Sequence, residues 1–599
     1  MTGPRDRTVR IGCASGFWGD SVIAAPQLLR GATLDYLVLD YLAEVTMSLL
    51  ARARLKDARA GYAADFVDVV VKSILPDLAR RRVKIVASAG GVNPRGCKRA
   101  LEALCAQAGA KLRVAMVEGD DLMPAIDALR ANGVRELYSG AALPVDMLTA
   151  NAYLGAVPIA AALAAGADVV ITGRCVDSAL TLGVLMHEFG WRADDYDRLA
   201  AGSLAGHILE CGPQATGGLH TDWEQVEDWA NIGYPIVECR DDGSFVLTKP
   251  EGTGGLVTPA TTAEQVLYEV GDPAAYLLPD VTADFSQVRL EQAGAHRVRV
   301  TGARGRPPTA QYKVSATYFD GYRAVAVVSI VGVGAAAKAE KTAEAILVRT
   351  RQIFRARNLA DFSAVHIEVL GAEASYGAKS RARDSREVVL RLVVEHPQRD
   401  ALELFAREIA PAGTSWAPGT TGFMGGRPKV QPVVKLFTFL IDKARLPPPS
   451  VQVDDEAPFA VEVATQGGFA PSGKGAPLPA EGTPDDEPTV EVPLLRLAYA
   501  RSGDKADTAN IAVIARKPEY LPLLRRELTP ARLAEHFSHL VAGPVQRFEA
   551  PGLNAFNFLL AGALGGGGMA SRRIDPQGKA YAQMALEIPI AVPRSWNLQ

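Results

Sequence analysis

Acidic, amide and glycine residues recur in five short segments in the first third of the chain. These are Cys13-Ala14-Ser15-Gly16, Asp40 with Glu44, Ala89-Gly90-Gly91-Val92-Asn93-Pro94, Glu118-Gly119-Asp120-Asp121 and Gly173-Arg174-Cys175-Val176-Asp177-Ser178. Carboxylates gathered at one place can exchange protons with a substrate, glycines let backbone amides approach it, and Asn93 or Arg174 can hold an anion. A second dense stretch runs from His187-Glu188 through Gly206-His207-Ile208-Leu209-Glu210-Cys211-Gly212 and Gln214-Ala215-Thr216-Gly217-Gly218 to His220 and Asp222. On a helix, His207 and Glu210 share a face, as an acid–base pair or two metal ligands would. The spacing of these histidines matches no specific metal site, so a hydrogen-bonded His–Glu pair is expected and no metal ligand is assigned. Cys211 reads as a buried structural cysteine. In Lys249-Pro250-Glu251-Gly252-Thr253-Gly254-Gly255, Thr253 and Gly254 could cradle a phosphate or a pantetheine arm; a tight turn is the equal alternative.

Two phosphate motifs are approached and rejected. Gly468 to Lys474 has Walker A spacing, but Gly475 stands where a magnesium-binding Ser or Thr is needed, with no strand before it and no helix after. It reads as a flexible loop. Gly332-Val333-Gly334-Ala335-Ala336-Ala337 follows a strand and opens a helix, but its nearest acidic strand-end residue, Glu368, lies well beyond the ~20 residues a dinucleotide fingerprint expects. A nicotinamide-linked oxidoreductase is therefore a third, weaker reading. No GxSxG, HExxH or zinc-deaminase pattern is present. His536 and His539 share a helix face and read as surface residues.

The elements that must position these residues follow from periodicity. Short apolar runs at 9–11, 34–39, 83–87, 112–117, 136–138 and 167–171 alternate with helical patterns such as 41–56 and 95–108. That predicts an α/β domain over residues 1–285 with a mostly parallel, doubly wound sheet; an eight-stranded barrel is the competing layout. Both layouts put the loops listed above at the carboxyl ends of strands, where ligands bind. Residues 286–446 read as α+β, with strands at 297–300, 312–318 and 322–331, a hairpin turn at Asp320-Gly321, a helix over 335–354 and a strand over 364–370. Residues 447–493, rich in Pro, Gly, Asp and Glu, read as a linker or mobile loop. Residues 494–599 form a small α+β domain, with strands at 494–500, 511–515 and 580–590 and a helix around 530–541. The 599 residues accommodate roughly three to four domains. With 64 Lys and Arg against 67 Asp and Glu, the balance gives no reason to expect nucleic acid or an anionic membrane as partner. The six cysteines form no CxxC pair, the start lacks the apolar core of a signal peptide, and the longest apolar stretch, 152–172, is broken by Pro158, Gly166 and Asp168. A cytoplasmic protein is expected.

At RIGCASGFWGD, DYLVLDYLAE, ASAGGVNP, ITGRCVDSAL, HEFGW, AGHILECGPQATGG and KPEGTGGLVT the chain resembles the acyclic terpene utilisation protein A family. The likeness covers most of 8–260 and continues less distinctively to about 445. The tail, with ARSGDKADTANI and GGGGMASRRIDPQGKA, resembles the small ferredoxin-fold domain that accompanies the family. The resemblance implies a part in the breakdown of acyclic terpenoids through branched acyl-CoA thioesters; it carries over no catalytic residue. Relatives read Gly-Asp-Lys-Gly where this chain has Gly503-Asp504-Lys505-Ala506. Ala would be strained at positive φ, so that turn is not expected to contact a ligand.

The expected activity is a hydratase or lyase acting on a branched acyl-CoA or the related carboxylic acid. Asp40, Asp177, His207 and Glu210 are the acid–base candidates. Arg174, Asn93, Gly90 and Gly91 would position the anion, and Ser15, Thr216, Gly217, Gly218, Thr253 and Gly254 complete the substrate-binding set. Coenzyme A enters as part of the substrate, and no resident cofactor is assigned. The alternative is a non-catalytic acyl-CoA-binding or scaffold subunit of the same pathway. A homo-oligomer is expected from base rate alone.

Overall fold

The computed structural model describes residues 7–468 and 488–598. Its main sheet is built on β1 (Thr8–Ser15), β2 (Tyr36–Leu39), β3 (Lys84–Ala87), β4 (Val114–Glu118), β6 (Val169–Thr172), β7 (Ile236–Arg240) and β8 (Phe245–Thr248); β5 (Met147–Ala152) belongs to another sheet. Five strands are parallel in the order β1-β2-β3-β6-β4. They read as unbroken apolar runs because both faces are buried. Ile11, Tyr36, Val38, Val86 and Val170 face one core, against helices such as Ala179–Phe189 and Tyr196–Leu209. Leu37, Leu39, Ile85 and Ile171 face the other, against Ala24–Gly31 and Pro94–Ala108.

The sheet as a whole is mixed, and this corrects the expectation of a mostly parallel one. β7, β8, Val298–Thr301 and Arg289–Gln292 extend it antiparallel beyond β1, and Ser450–Val453 and Phe459–Ala460 extend it beyond β4. Hairpins add strands at an edge without the crossover a parallel strand requires. The eleven-stranded order has two separate ends, so the sheet is open rather than a barrel.

A six-stranded sheet is organised around one long strand, Gln311–Val331. Asp320-Gly321 is not a hairpin turn but a bulge inside it, with Gly321 at φ +77° and the pairing shifted between Phe319 and Tyr322. The strand pairs with β5 and Gln431–Asp442 along its first half, and with Glu387–His396 and Thr420–Phe423 along its second. The bulge re-aims the strand between those partners.

Other departures have local causes. Residues 136–138 are a turn, because the Glu136 carboxylate accepts from the amides of Tyr138 (2.9 Å) and Ser139 (2.6 Å). Residues 580–590 contain a helix, Tyr581–Ala585, before the strand Pro589–Pro593; Tyr581, Ala582, Met584 and Ala585 bury one face at helical spacing. The segment expected to be linker from residue 447 is partly in the main sheet, and Thr489–Pro493 pairs with Pro589–Pro593. The Walker-like segment lies, beyond Gly468, outside the described residues. Gly332 to Ala337 follows an antiparallel strand, which is not the setting of a dinucleotide turn. The tail carries a four-stranded antiparallel sheet in the order Ala498–Lys505, Thr508–Ala515, Ala555–Leu560, Val545–Ala550.

Candidate functional site

A cavity of about 900 Å³ lies where the main sheet, the long strand and the tail meet. The strand-end loops after β2 and β6 contribute Asp40, Glu44, Arg174 and Asp177. The loop after helix Tyr196–Leu209 brings Glu210, Gly217 and Gly218, the long strand brings Lys313, and the tail brings Arg501, Asp504, Lys505 and Lys579.

Asp40 is fixed by the chain leaving β2. Its amide donates to the Ser15 carbonyl (2.9 Å), and its carboxyl accepts from Ser88 Oγ (2.7 Å). Burial, and then the negative charge of Asp177, push it well above the usual carboxylate range, against the pull of Arg174. Arg174 is 4% exposed; its Nη1 donates to Asp177 (2.8 Å), its guanidinium lies 4.2 Å from the Tyr153 ring centroid, and its Nε has no partner. Asp120 holds the Arg174 backbone, accepting from its amide (2.8 Å) and from Asn151 Nδ2 (2.8 Å), and burial pushes Asp120 up to about 7. Across the floor, Tyr153 donates to Glu44, and Lys313 sits 3.8 Å from that carboxylate and 4.7 Å from the Tyr153 ring. Burial alone would raise Glu44, but Lys313, Arg174 and the Tyr153 hydroxyl together hold it at about 2.

His207 and Glu210 form the expected pair, Nδ1 to Oε1 at 3.1 Å. Burial pushes Glu210 up to about 7 against the pull of His207, and Glu210 keeps His207 above its ordinary value against burial. Only Glu210 reaches the cavity. His207 stands behind it, stacked near Tyr276 and Phe285, with Nε2 buried and unpartnered.

Lys505 ends the tail strand Ala498–Lys505 and enters the cavity half-buried, 5.4 Å from the Tyr276 ring centroid. Among the described residues it has no ion pair. Burial opposes its charge, but Tyr276, Glu269, Asp177 and Glu210 raise its pKa overall. The turn that carries it is held from outside. Asp507 accepts from the amides of Leu564 (3.1 Å), Gly566 (2.8 Å) and Gly567 (3.2 Å), the last two within the run of four glycines. Ala506 adopts φ +56°, the strained conformation the sequence suggested, yet Asp504, Lys505 and Ala506 all line the cavity. The turn therefore stands at the cavity wall, held there by the Asp507 carboxylate. Burial and Glu269 push Asp504 up to about 6, with Lys579 3.5 Å away.

The tail is tied down beside the site. Asn510 Nδ2 donates to the Leu267 carbonyl (2.9 Å), its Oδ1 accepts from the Glu269 amide (3.0 Å), and Arg501 Nη1 donates to the Leu219 carbonyl (2.9 Å). At the mouth, Phe17, Leu219, Trp223 and Trp229 are exposed, the two indoles 5.8 Å apart and crossed edge to face.

Of the predicted residues, Asp40, Asp177, Glu210, Arg174, Gly217 and Gly218 share this cavity. The rest do not line it. Ser15 is buried, its hydroxyl donating to the Phe17 carbonyl (2.9 Å). Asn93 caps helix Pro94–Ala108 through the Gly96 amide, and Gly91 takes φ +54° against the Gly61 carbonyl; with Gly90 packed on Pro94, the three are structural. Thr216 and Thr253 donate to the carbonyls of Gly233 (2.6 Å) and Pro250 (2.6 Å), and Gly254 packs on the Asp228 carbonyl, so Lys249 to Gly255 is a turn. Cys211 lines the cavity, but burial pushes its thiol well above its usual value and away from thiolate. His207 and His220 serve separate carboxylates, the latter Glu264 at 2.9 Å. Among the described residues no group of three or more His, Cys, Asp or Glu is arranged to hold a metal, and no helix is long and apolar enough to cross a membrane. Tyr153, Lys313, Lys505 and Lys579 are the site residues that sequence reasoning missed; of these, Lys505 and Lys579 lay in tail motifs already marked.

No curated protein and no solved structure matches the chain. Residues 492–591 match the AtuA ferredoxin-like domain. Residues 9–452 match the acyclic terpene utilisation family protein AtuA, and the chain therefore belongs to that family and to acyclic terpene utilisation.

Proposed function

We propose that this chain is an acid–base enzyme of acyclic terpenoid breakdown, a hydratase or lyase acting on a branched unsaturated acyl thioester or the corresponding acid. One observation carries the reading: carboxyl groups pushed toward their protonated form, Asp40 and Glu210, face the same cavity as the cations Arg174, Lys313 and Lys505. Hydration of a double bond conjugated to a carbonyl needs both. A carboxylate takes a proton from water as its oxygen bonds to C3, the electron pair moves to the carbonyl oxygen, and an acid returns a proton to C2. Asp177, ion-paired and open to the cavity, suits the base; Glu210, poised at about 7, suits the donor; Lys505 and Arg174 suit the developing enolate oxygen. The exposed aromatic mouth suits a branched apolar chain.

The alternative, a non-catalytic subunit, draws on the appended tail. That tail is hydrogen-bonded to its own chain and forms a wall of the cavity, which favours a catalytic reading. The test is mass spectrometry of purified protein incubated with branched 2-enoyl and 3-hydroxyacyl thioesters and their free acids. Gain or loss of one water is expected, and Asp177→Asn should lower the rate by ~10²-fold or more. No mass change across the panel, or a fully active Asp177→Asn, would sink the proposal.

A further inference from the structure

One buried histidine of the cavity takes no part in the charged floor. Nδ1 of His220 lies 2.9 Å from Oε2 of Glu264, a buried carboxylate on the helix Pro259–Leu267. Glu264 also accepts from the Thr221 amide (3.1 Å) and hydroxyl (2.5 Å). Nδ1 is therefore the donor, and the neutral ring presents its Nε2 lone pair. Tyr499 of the tail stacks on that ring, 5.5 Å between centroids. His220 lines the cavity, and among the described residues its Nε2 makes no hydrogen bond. Other histidines of this chain close that atom. Nε2 of His396, His536 and His539 meets a backbone carbonyl at 3.1, 3.1 and 2.9 Å. Nε2 of His207 is sealed in the wall, whereas that of His220 opens to the cavity.

Arg501 stands beside it. Its Nη1 donates to the carbonyls of Gly218 (3.3 Å) and Leu219 (2.9 Å), the two residues before His220, and its Nη2 to the Gln214 side chain. Among the described residues Arg501 has no ion pair, and these bonds leave its Nε–H unspent. Between these contacts and the Glu264 pair, Leu219 is held at φ +60°, a strained conformation for a bulky residue. An open acceptor and an unspent donor side by side match one neutral group. An ammonium would meet the charge of Arg501, and an ionised carboxylate has no proton for Nε2. A hydroxyl both donates to Nε2 and accepts from Arg501. Arg501 and Lys505 lie four residues apart on one strand, so they face the same way with ~13 Å between their Cα atoms.

We infer that His220 and Arg501 form a second ligand subsite, which takes a hydroxyl at the end of the acyl chain remote from the carbonyl at Lys505. The substrate class is therefore a long-chain acyl compound oxygenated at both ends. The inference rests on the acyl-substrate reading above for the Lys505 end and goes beyond it at the other.

The probes are 10-hydroxydecanoic acid and decanoic acid, whose chains are long enough to reach from one end to the other, each titrated calorimetrically into the full chain. The hydroxy acid is expected to bind at least about tenfold tighter. His220→Phe, which keeps a ring against Tyr499, should erase the difference and leave the affinity for decanoic acid as it was. Because that substitution also takes a partner from Glu264, the unaltered protein supplies a second readout. Diethyl pyrocarbonate should ethoxyformylate His220 and not His207, read by peptide mass mapping, and 10-hydroxydecanoic acid should slow that reaction more than decanoic acid does. Equal affinities, a preference that survives His220→Phe, no binding of either acid, or an unreactive His220 would overturn the inference. Water gained or lost by enoyl thioesters, with no preference between the two acids, would leave hydration standing and remove the subsite. The preference without hydration would do the reverse.

Discussion

Replacing Lys505 with Gln tests whether the tail supplies chemistry or only covers the cavity. Lys505 has no ion pair among the described residues, so the substitution breaks no bridge. It removes a charge that faces Tyr276, Glu269, Asp177 and Glu210. If that ammonium meets the substrate's oxygen, the charge-assisted hydrogen bond it makes contributes ~1.5–3 kcal/mol, which is roughly 10- to 150-fold in affinity. The developing enolate depends on it more, and loss of one oxyanion donor costs ~10²–10³-fold in turnover. The sign of the pH effect follows separately. Glu210, which must be protonated to donate, loses activity as pH rises through about 7. Removing a nearby cation disfavours the carboxylate, so in Lys505→Gln that descending limb moves to higher pH. The assays are calorimetric titration with the thioester and a rate profile from pH 5 to 9, with thermal unfolding alongside. A Lys505→Gln protein that binds and turns over normally would refute the reasoning. So would one whose only defect is a lower melting temperature with an unmoved pH limb.

Three further substitutions probe the supports of the site. Ala506 at φ +56° carries a left-handed strain of ~1–2 kcal/mol, of which the added freedom of an unfolded glycine returns ~0.4–1 kcal/mol. Ala506→Gly should therefore raise the denaturation midpoint of the tail modestly; a lower midpoint would show that the turn is not strained. Asn510→Ala leaves the Glu269 amide and Leu267 carbonyl without their partner in a buried interface, at ~1–3 kcal/mol each. Faster amide exchange in 267–271 and in the tail sheet, with loss of turnover, is expected; unchanged protection would count against the docking account. Asp120 is raised from 3.8 to about 7, so the folded state takes up a proton that the unfolded state has lost. Its contribution to stability is complete below the unfolded value and fades as pH rises through about 7. Melting temperatures from pH 5 to 8 should fall more steeply for the native chain than for Asp120→Asn, and parallel slopes would contradict the assignment.

The strand-end half of this site was legible because it follows from local rules. β2 and β6 are apolar on both faces, the chain must turn at their carboxyl ends, and the first polar residues after them, Asp40 and Arg174 with Asp177, are the ones that reach the cavity. The same rule overreached at Asn93, where a competing local signal was present in the sequence. Asn followed by Pro is a helix start, and the side chain is spent on the Gly96 amide. What no local rule could supply is the far wall. Lys313 lies near the start of the long strand, and its partner Glu44 is far away in sequence; Tyr153 lies just past β5, a strand the sequence reading missed. Lys505 was discounted on a correct physical premise, the cost of Ala at positive φ, applied to the turn in isolation. The premise omitted Asp507, whose carboxylate gathers the amides of Leu564, Gly566 and Gly567 and so stabilises the hairpin from a second direction. Local strain excludes a conformation only when nothing else holds it. Here strain, clamp and an ammonium without an ion pair among the described residues coincide on one turn, and the clamp offsets the strain at the point where the chain brings that ammonium to the cavity.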